Sequence, residues 1–416
     1  MQLGRLISTL MFRLGLFRLW RLLPRPLRQA LVRRILPSSA RGPRPGRALV
    51  PVIVVGPLRA SSSFGRLARV LVSHFQRADV PVYVHDVSDA FAAAELDLIG
   101  EPAPLSLLSA PATIVLVGTP DQFGYLRSFL PGDFSGQHVV GFCPWELERL
   151  PESWFEPLSV LDEVYVPSRF VADAFAASQP HLQTRIVPCL EMPERLPRAN
   201  RLRFGLPDDA FILLTVFSLR SGLERKNPAG AIAAFQRAFR QESRARLVIK
   251  TADAHLETAA FAKLQALAGD DPRIILMTET LSDPDLEALI ASADVILSLH
   301  RAEGFGLVPA QAMLAGKPVI MTGWSSILDF SCAESAVLVP YQLVPVEDPA
   351  QRFSAGMRWA EPDLDQAADA MRLLFFSAGE RQRLGERGQR VMTAFIARSE
   401  ADFQNQIEKT FLNQLR

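Results

Sequence analysis

The sequence predicts an α/β protein of two domains, and three observations carry that prediction. Near the start, a buried-strand run (50–56), a loop (57–63), a helical pattern (64–76) and another strand run (81–85) form a strand–helix–strand unit, which implies parallel pairing. Downstream the alternation returns: an apolar, β-branched run (293–299), a polar loop with two glycines (300–306), a helical pattern from Pro309 and a strand run (318–322). With 416 residues, 49% of them hydrophobic, each half has room for its own core.

The formal net charge of +1 offers no whole-molecule attraction for nucleic acid. Cys143, Cys189 and Cys332 stand far apart, in no metal-ligand spacing and with no disulfide framework, so a reducing cytoplasm is the expected setting. There is no Gly-x-Gly-x-x-Gly run, which counts against a dinucleotide oxidoreductase.

Residues 1–47 differ from the rest. They hold many arginines and no acid; the first is Asp79. Leu3, Ile7, Leu10, Met11, Leu14 and Phe17 recur at helical spacing, but Arg5, Arg13, Arg18 and Arg21 interrupt any spanning helix, and no small-residue cleavage site follows. The segment reads as a basic amphipathic helix on an anionic membrane surface, through residues 1–36, or as an arm packing on its own protein or a partner subunit. Residues 37–47 read as a linker.

The first domain begins at Ala48. After its opening unit come strand runs at 112–118 and 138–142, the latter leading into Cys143-Pro-Trp145-Glu146. Glu146, at a strand's C-terminal end, is placed to orient a hydroxyl or accept a proton. Ser168 is a sound helix N-cap. Residues 190–209, rich in Pro and charge, form the interdomain crossing.

The run 211–217 opens the second domain and leads through Arg220 to Arg225-Lys226-Asn-Pro228 and a helix through Phe239. Two cations at a strand–helix junction suit a diphosphate; at an effective dielectric near 20, each contact at 4 Å is worth about 4 kcal/mol before desolvation. Helical neighbours point different ways, so Lys226 is expected on the phosphate, with Arg220 or Arg225 as companion. Lys250, a candidate for the donor side, ends the next strand run (246–251), followed by a strand at 274–277 and a helix at 285–291. In the stretch 298–330, the N–H groups of Gly304, Phe305, Gly306 and Leu307 at a helix start make an anion site. The Asp-x-Asp pairs at 283–285 and 363–365 open helices, where Asp caps, so no metal site is read from them.

The run Glu303-Gly-Phe-Gly-Leu307, then Ala312-Met and Ala315-Gly-Lys-Pro-Val-Ile, resembles the donor signature of family 4 retaining glycosyltransferases. Gly323-Trp-Ser-Ser, Leu328-Asp-Phe330, Arg225-Lys-Asn-Pro, the Trp145-Glu146 pair and Trp359-Ala-Glu-Pro362 resemble bacterial surface-polysaccharide mannosyl- and glycosyltransferases. The resemblance implies the GT-B fold: two Rossmann-like domains facing a cleft, the acceptor side at 48–195, the donor side at 196–389, and a final helix (390–416) returning to the first domain. It implies hexosyl transfer from a nucleoside diphosphate sugar to a saccharide or lipid-linked saccharide with retention, and no cofactor or metal. The loop after 274–277 would hold the nucleobase. Glu303 matches the first of two family glutamates and would contact sugar hydroxyls. The second position falls on Gln311, which would hold the ribose more weakly. His300 would help from the strand end, or be a satisfied structural histidine. Gly65 and Trp145 match acceptor-side positions, and Glu146 stands where many members have a histidine; the alternatives are a plain helix N-terminus at Gly65 and a surface glutamate beside a packing tryptophan. The alternative is a non-catalytic glycosyltransferase-like subunit that binds a partner or membrane; Gln311 and the altered serine loop at 61–63 favour it.

Overall fold

The computed structural model describes residues 44–91, 96–127, 129–130, 134–349, 352–354 and 356–412. The basic segment 1–36 lies outside them. Of the expected linker, Arg44 is fixed to the protein, donating to Ser159 O at 2.8 Å and standing 3.6 Å from Asp162.

The chain forms two compact units. One comprises residues through Trp145, Arg149–Glu191 and Ser399 onward; the other comprises Glu146–Glu148 and Met192–Arg398. The expected boundaries stood after 195 and 389.

The first unit contains β1 (Val52–Gly56), α1 (Ser63–Arg77), β2 (Val82–Asp86), β3 (Glu101–Pro102), β4 (Thr113–Val117), α2 (Pro120–Arg127), β5 (His138–Phe142), α3 (Phe155–Leu158), β6 (Glu163–Val166), α4 (Arg169–Ser178) and β7 (Gln183–Ile186). The strands form one parallel sheet in the order β3-β2-β1-β4-β5-β6-β7. Strands β1, β4 and β5 are buried along their whole length, as unbroken apolar runs covered on both faces must be. Ser168 caps α4 by accepting from Val171 N.

The second unit contains β8 (Phe211–Ser218), α5 (Leu223–Lys226), α6 (Pro228–Ala238), β9 (Ala245–Ala252), α7 (Thr258–Ala268), β10 (Ile274–Met277), α8 (Asp283–Ser292), β11 (Val295–Ser298), α9 (Leu307–Leu314), β12 (Val319–Thr322), β13 (Val337–Val339), β14 (Tyr341–Pro345), β15 (Arg358–Pro362) and α10 (Leu364–Phe376). Six strands make a parallel sheet ordered β10-β9-β8-β11-β12-β13; β14 and β15 pair apart as an antiparallel ribbon. One sheet face packs Leu213, Leu247, Ile249, Val295 and Leu297 against Phe235 of α6 and Met371 of α10. Fully burying a side chain such as Phe235 contributes about 1.5–3 kcal/mol.

Both sheets place their first strand centrally and reverse direction beside it, between β1 and β4 and between β8 and β11. A reversal leaves a crevice at the strands' C-terminal ends, where open α/β sheets take ligands. The Asp pairs act at helix starts: Asp363 accepts from the N–H groups of Asp365 and Gln366, and Ser282 caps α8 ahead of Asp283.

The last helix, α11 (Ala378–Thr410), starts earlier than the expected 390–416. Gly385 and Gly388 hide that turn from a periodicity reading. Their missing side chains let the helix lie close: a Cβ on Gly385 would stand 2.2 Å from Gly316 O. Through Arg398 the helix belongs to the second unit; Phe403 and Phe411 pack edge-on to Phe75 in the first.

Candidate functional site

At the reversal in the second sheet, β8 and β11 end side by side and their loops bring three charges together. Strand β8 runs through a 3-10 turn (Leu219–Ser221) into the single helical turn α5, which carries Arg225 and Lys226. Asn227 then stops that helix by adopting a left-handed φ of 52°. Its side chain accepts from Gly230 N at 3.0 Å, capping α6 behind Pro228, and donates to Leu299 O at 3.0 Å. Asn227 thus ties the end of β11 to the start of α6. Within Arg225-Lys-Asn-Pro, Asn and Pro set the backbone from which the two cations project.

From β11 the chain passes His300 and Arg301 to Glu303. Arg301 anchors the loop, donating to both Glu361 oxygens (2.5 and 3.0 Å) and to Glu224 O at 2.6 Å, with its guanidinium 5.5 Å over the Trp359 ring. The Trp359-Ala-Glu-Pro run is therefore a brace for the loop. Two serines hold the Glu303 backbone: Ser325 Oγ accepts from Glu303 N at 3.1 Å, and Ser326 Oγ donates to Glu303 O at 2.7 Å. Ser325 keeps a φ of 72°, a conformation that costs a non-glycine residue about 1 kcal/mol. Asn227, Ser325 and Ser326 received no role from sequence reasoning, although all three lie in motifs that it had singled out.

The Glu303 carboxylate takes Lys226 Nζ on one oxygen and Arg225 Nη1, at 3.4 Å, on the other. Both neighbours on one helical turn therefore reach the same group, contrary to expectation. Arg225 does so by swinging back over its own turn, with Nε on Ser221 O at 3.2 Å and Nη1 on Ala302 O at 2.8 Å. Its other terminal nitrogen stands 3.4 Å from Glu146, which groups with this unit. Arg220 is exposed, outside this set of contacts.

Burial alone would raise the Glu303 carboxyl, but Lys226, Arg225 and His300 overcome it and hold it at about 2. Burial lowers Lys226, opposed by Glu303. The Glu303 carboxyl is ionised at neutral pH. Burial also lowers His300 to about 4, against the attraction of Glu303. The imidazole is therefore neutral at pH 7, and neither ring nitrogen has a hydrogen-bond partner among the described residues.

Helix α9 begins at Leu307 behind Gly306, whose φ of 88° and missing side chain leave the helix start uncapped. A Cβ there would meet Ile327 Cγ2 at 2.8 Å. Gly304, Phe305 and Gly306 are buried, and Phe305 stacks on Phe330 at 5.3 Å. Gln311 is buried on α9, and its amide donates toward Glu287 of α8 at 3.4 Å. A glutamate at 311 would oppose that carboxylate. Lys250, buried near the end of β9, donates to Thr251 O.

The two acceptor-side candidates serve packing. A Cβ on Gly65 would lie 2.1 Å from Ala60 O, and Arg69 donates to Leu58 O and Ala60 O. Trp145 is buried against Trp154, ring centroids 4.5 Å apart, and donates to Arg149 O.

Residues 210–359 match the family model described as Glycosyl transferases group 1. That span contains the Glu303, Lys226 and Arg225 cluster. No curated protein matches the chain. Among solved structures, Anabaena HepE in complex with UDP and glucose is 14% identical, covering 86% of this chain and 99% of that one, with a TM-score of 0.60. Sucrose-phosphate synthase from Thermosynechococcus elongatus is 16% identical, covering 89% and 99%, with a TM-score of 0.59. A glycosyltransferase from Rickettsia africae is 10% identical, covering 86% and 97%, with a TM-score of 0.58. At these identities the likeness is one of fold, and the fold is GT-B. The chain spans 57% of the pneumococcal O-GlcNAc transferase GtfA and 56% of S. aureus TarM, which it also matches.

Proposed function

We propose that the protein is a retaining hexosyltransferase. It moves a sugar from a nucleoside diphosphate donor to a saccharide or lipid-linked saccharide acceptor in bacterial polysaccharide biosynthesis, in the cytoplasm or at the inner membrane face. One observation carries this reading: Lys226 and Arg225 converge on Glu303 at the reversal of the sheet, beside the uncapped start of α9.

The two cations are already desolvated and fixed, so a diphosphate replacing Glu303 as their partner needs little reorganisation. They act most strongly as the sugar–phosphate bond breaks and charge collects on the departing diphosphate. Glu303, released from them, accepts from the sugar's hydroxyls. The N–H groups at the start of α9 take phosphate oxygens, with Arg220 at the exposed margin. Neutral His300 donates one hydrogen bond and accepts another. Glu146 orients the acceptor hydroxyl or takes its proton. The diphosphate charge is met by lysine and arginine, so no metal is required, and activity should persist in EDTA.

The test is a thermal-shift panel of UDP-, GDP- and ADP-sugars against wild type and Lys226→Ala, followed by a transfer assay with the donor that binds. A shift with one nucleotide class that is lost in the variant supports the reading. No shift with any donor in a folded sample would move the weight to a non-catalytic subunit.

A further inference from the structure

Outside the Glu303 cluster, the second unit buries another ammonium. Lys250 is 5% exposed near the C-terminal end of β9, with Val216 of β8 and Met277 of β10 as its register partners. Of its three N–H donors, one is used, on Thr251 O at 3.1 Å. It forms no ion pair among the described residues. The acids that influence its charge, Asp253 and Glu279, are engaged elsewhere. Ser218 Oγ donates to Asp253 at 2.5 Å, and Arg203 donates to Glu279 at 3.0 Å. Asp253 is itself held at a φ of 65°, a left-handed conformation that is uncommon for a side-chain-bearing residue. A buried cation with spare donors is a cost to folding unless something brings it acceptors.

Its position limits what that is. Strand β9 lies next to β8, whose end leads to Lys226, while the charges around Lys250 belong to the loops after β9 and β10. On the opposite side of the reversal, the segment after β12 is occupied by Ser325 and Ser326 holding Glu303. That leaves the β9 and β10 side for the nucleoside of a diphosphate held at Lys226.

We propose that Lys250 reads the donor's nucleobase by donating to an exocyclic carbonyl oxygen, and so selects a uracil- or guanine-bearing donor over an adenine-bearing one. Uracil and guanine present carbonyl acceptors where adenine presents an amine, and an ammonium has no lone pair with which to receive that amine. A polar site facing the wrong partner discriminates strongly because its own donors are left unpaired. This inference rests on the donor-site reading above.

The experiment measures the binding of UDP, GDP, ADP and inorganic pyrophosphate to the full chain by calorimetry, for wild type, Lys250→Met and Lys250→Gln. Wild type is expected to prefer UDP or GDP over ADP by roughly 10- to 100-fold. Lys250→Met should collapse that preference and leave pyrophosphate unchanged. Lys250→Gln, whose amide accepts as well as donates, should admit ADP, and it carries the test if the methionine variant does not fold. A preference that survives in both variants overturns the inference alone, as does an equal loss for all ligands including pyrophosphate, which would mark a phosphate contact. Wild type that binds no nucleotide overturns the donor-site reading with it.

Discussion

Glu303 and Lys226, 77 residues apart in sequence, form a partly buried ion pair at the reversal of the second sheet, with Arg225 on the carboxylate's other oxygen. Each partner solves the other's desolvation. Removing one strands a charge in the interior, which costs more than the pair's net contribution.

Lys226→Met should therefore lose donor binding and also destabilise the unliganded protein, by about 1–3 kcal/mol in chemical denaturation. Adding Glu303→Gln should recover part of that loss. Strict additivity of the two substitutions would show that the pair is not coupled.

His300 makes stability acid-sensitive. Its folded pKa of about 4 lies below the ordinary 6.5, so between those values the unfolded chain binds a proton that the folded chain does not. Stability is fully present above pH 6.5 and falls as the pH drops toward 4, by about 3 kcal/mol for this group. His74, lowered to about 3 by burial and then Arg77, adds to the same decline. Glu303, at about 2 against 4.5, contributes a loss confined to the range below pH 4.5. His300→Asn should flatten the curve of melting temperature against pH between 6.5 and 4, and an unchanged slope would refute the assignment.

Gln311→Glu restores the letter expected by resemblance but sets a second carboxylate against Glu287, whose nearer oxygen is 3.4 Å from the Gln311 amide. Like charges at that range raise one carboxyl pKa, so the variant should be more destabilised at pH 8 than at pH 5. Melting curves at the two pH values check this. Equal melting at both would show that Glu287 turns away.

Gly65→Ala should destabilise the protein by about 2–3 kcal/mol, because its Cβ would stand 2.1 Å from Ala60 O, a backbone atom that cannot step aside. Urea denaturation reads the loss directly. A variant of wild-type stability with altered acceptor affinity would return Gly65 to the acceptor site.

Strands were legible where apolar residues run unbroken, as in the expected 138–142 and 274–277, which β5 and β10 match residue for residue. One helix start was legible from its capping side chain, at Ser168. The charged first turns of α11 were not legible, since Gly385 and Gly388 are chosen for backbone approach, which leaves no periodic trace.

By itself the sequence determined the two parallel-sheet halves and the stretches that carry the charged residues, because hydrophobic period and turn chemistry act between near neighbours. Tertiary structure alone decided what those residues meet. It sets Arg225 and Lys226 on one carboxylate, turns Asn227, Ser325 and Ser326 into supports, and uses Gly65 and Trp145 for packing. It also leaves Lys250 buried with donors to spare. Those outcomes depend on which strand ends lie side by side, and the order of strands in a sheet is fixed by contacts between residues far apart in the chain.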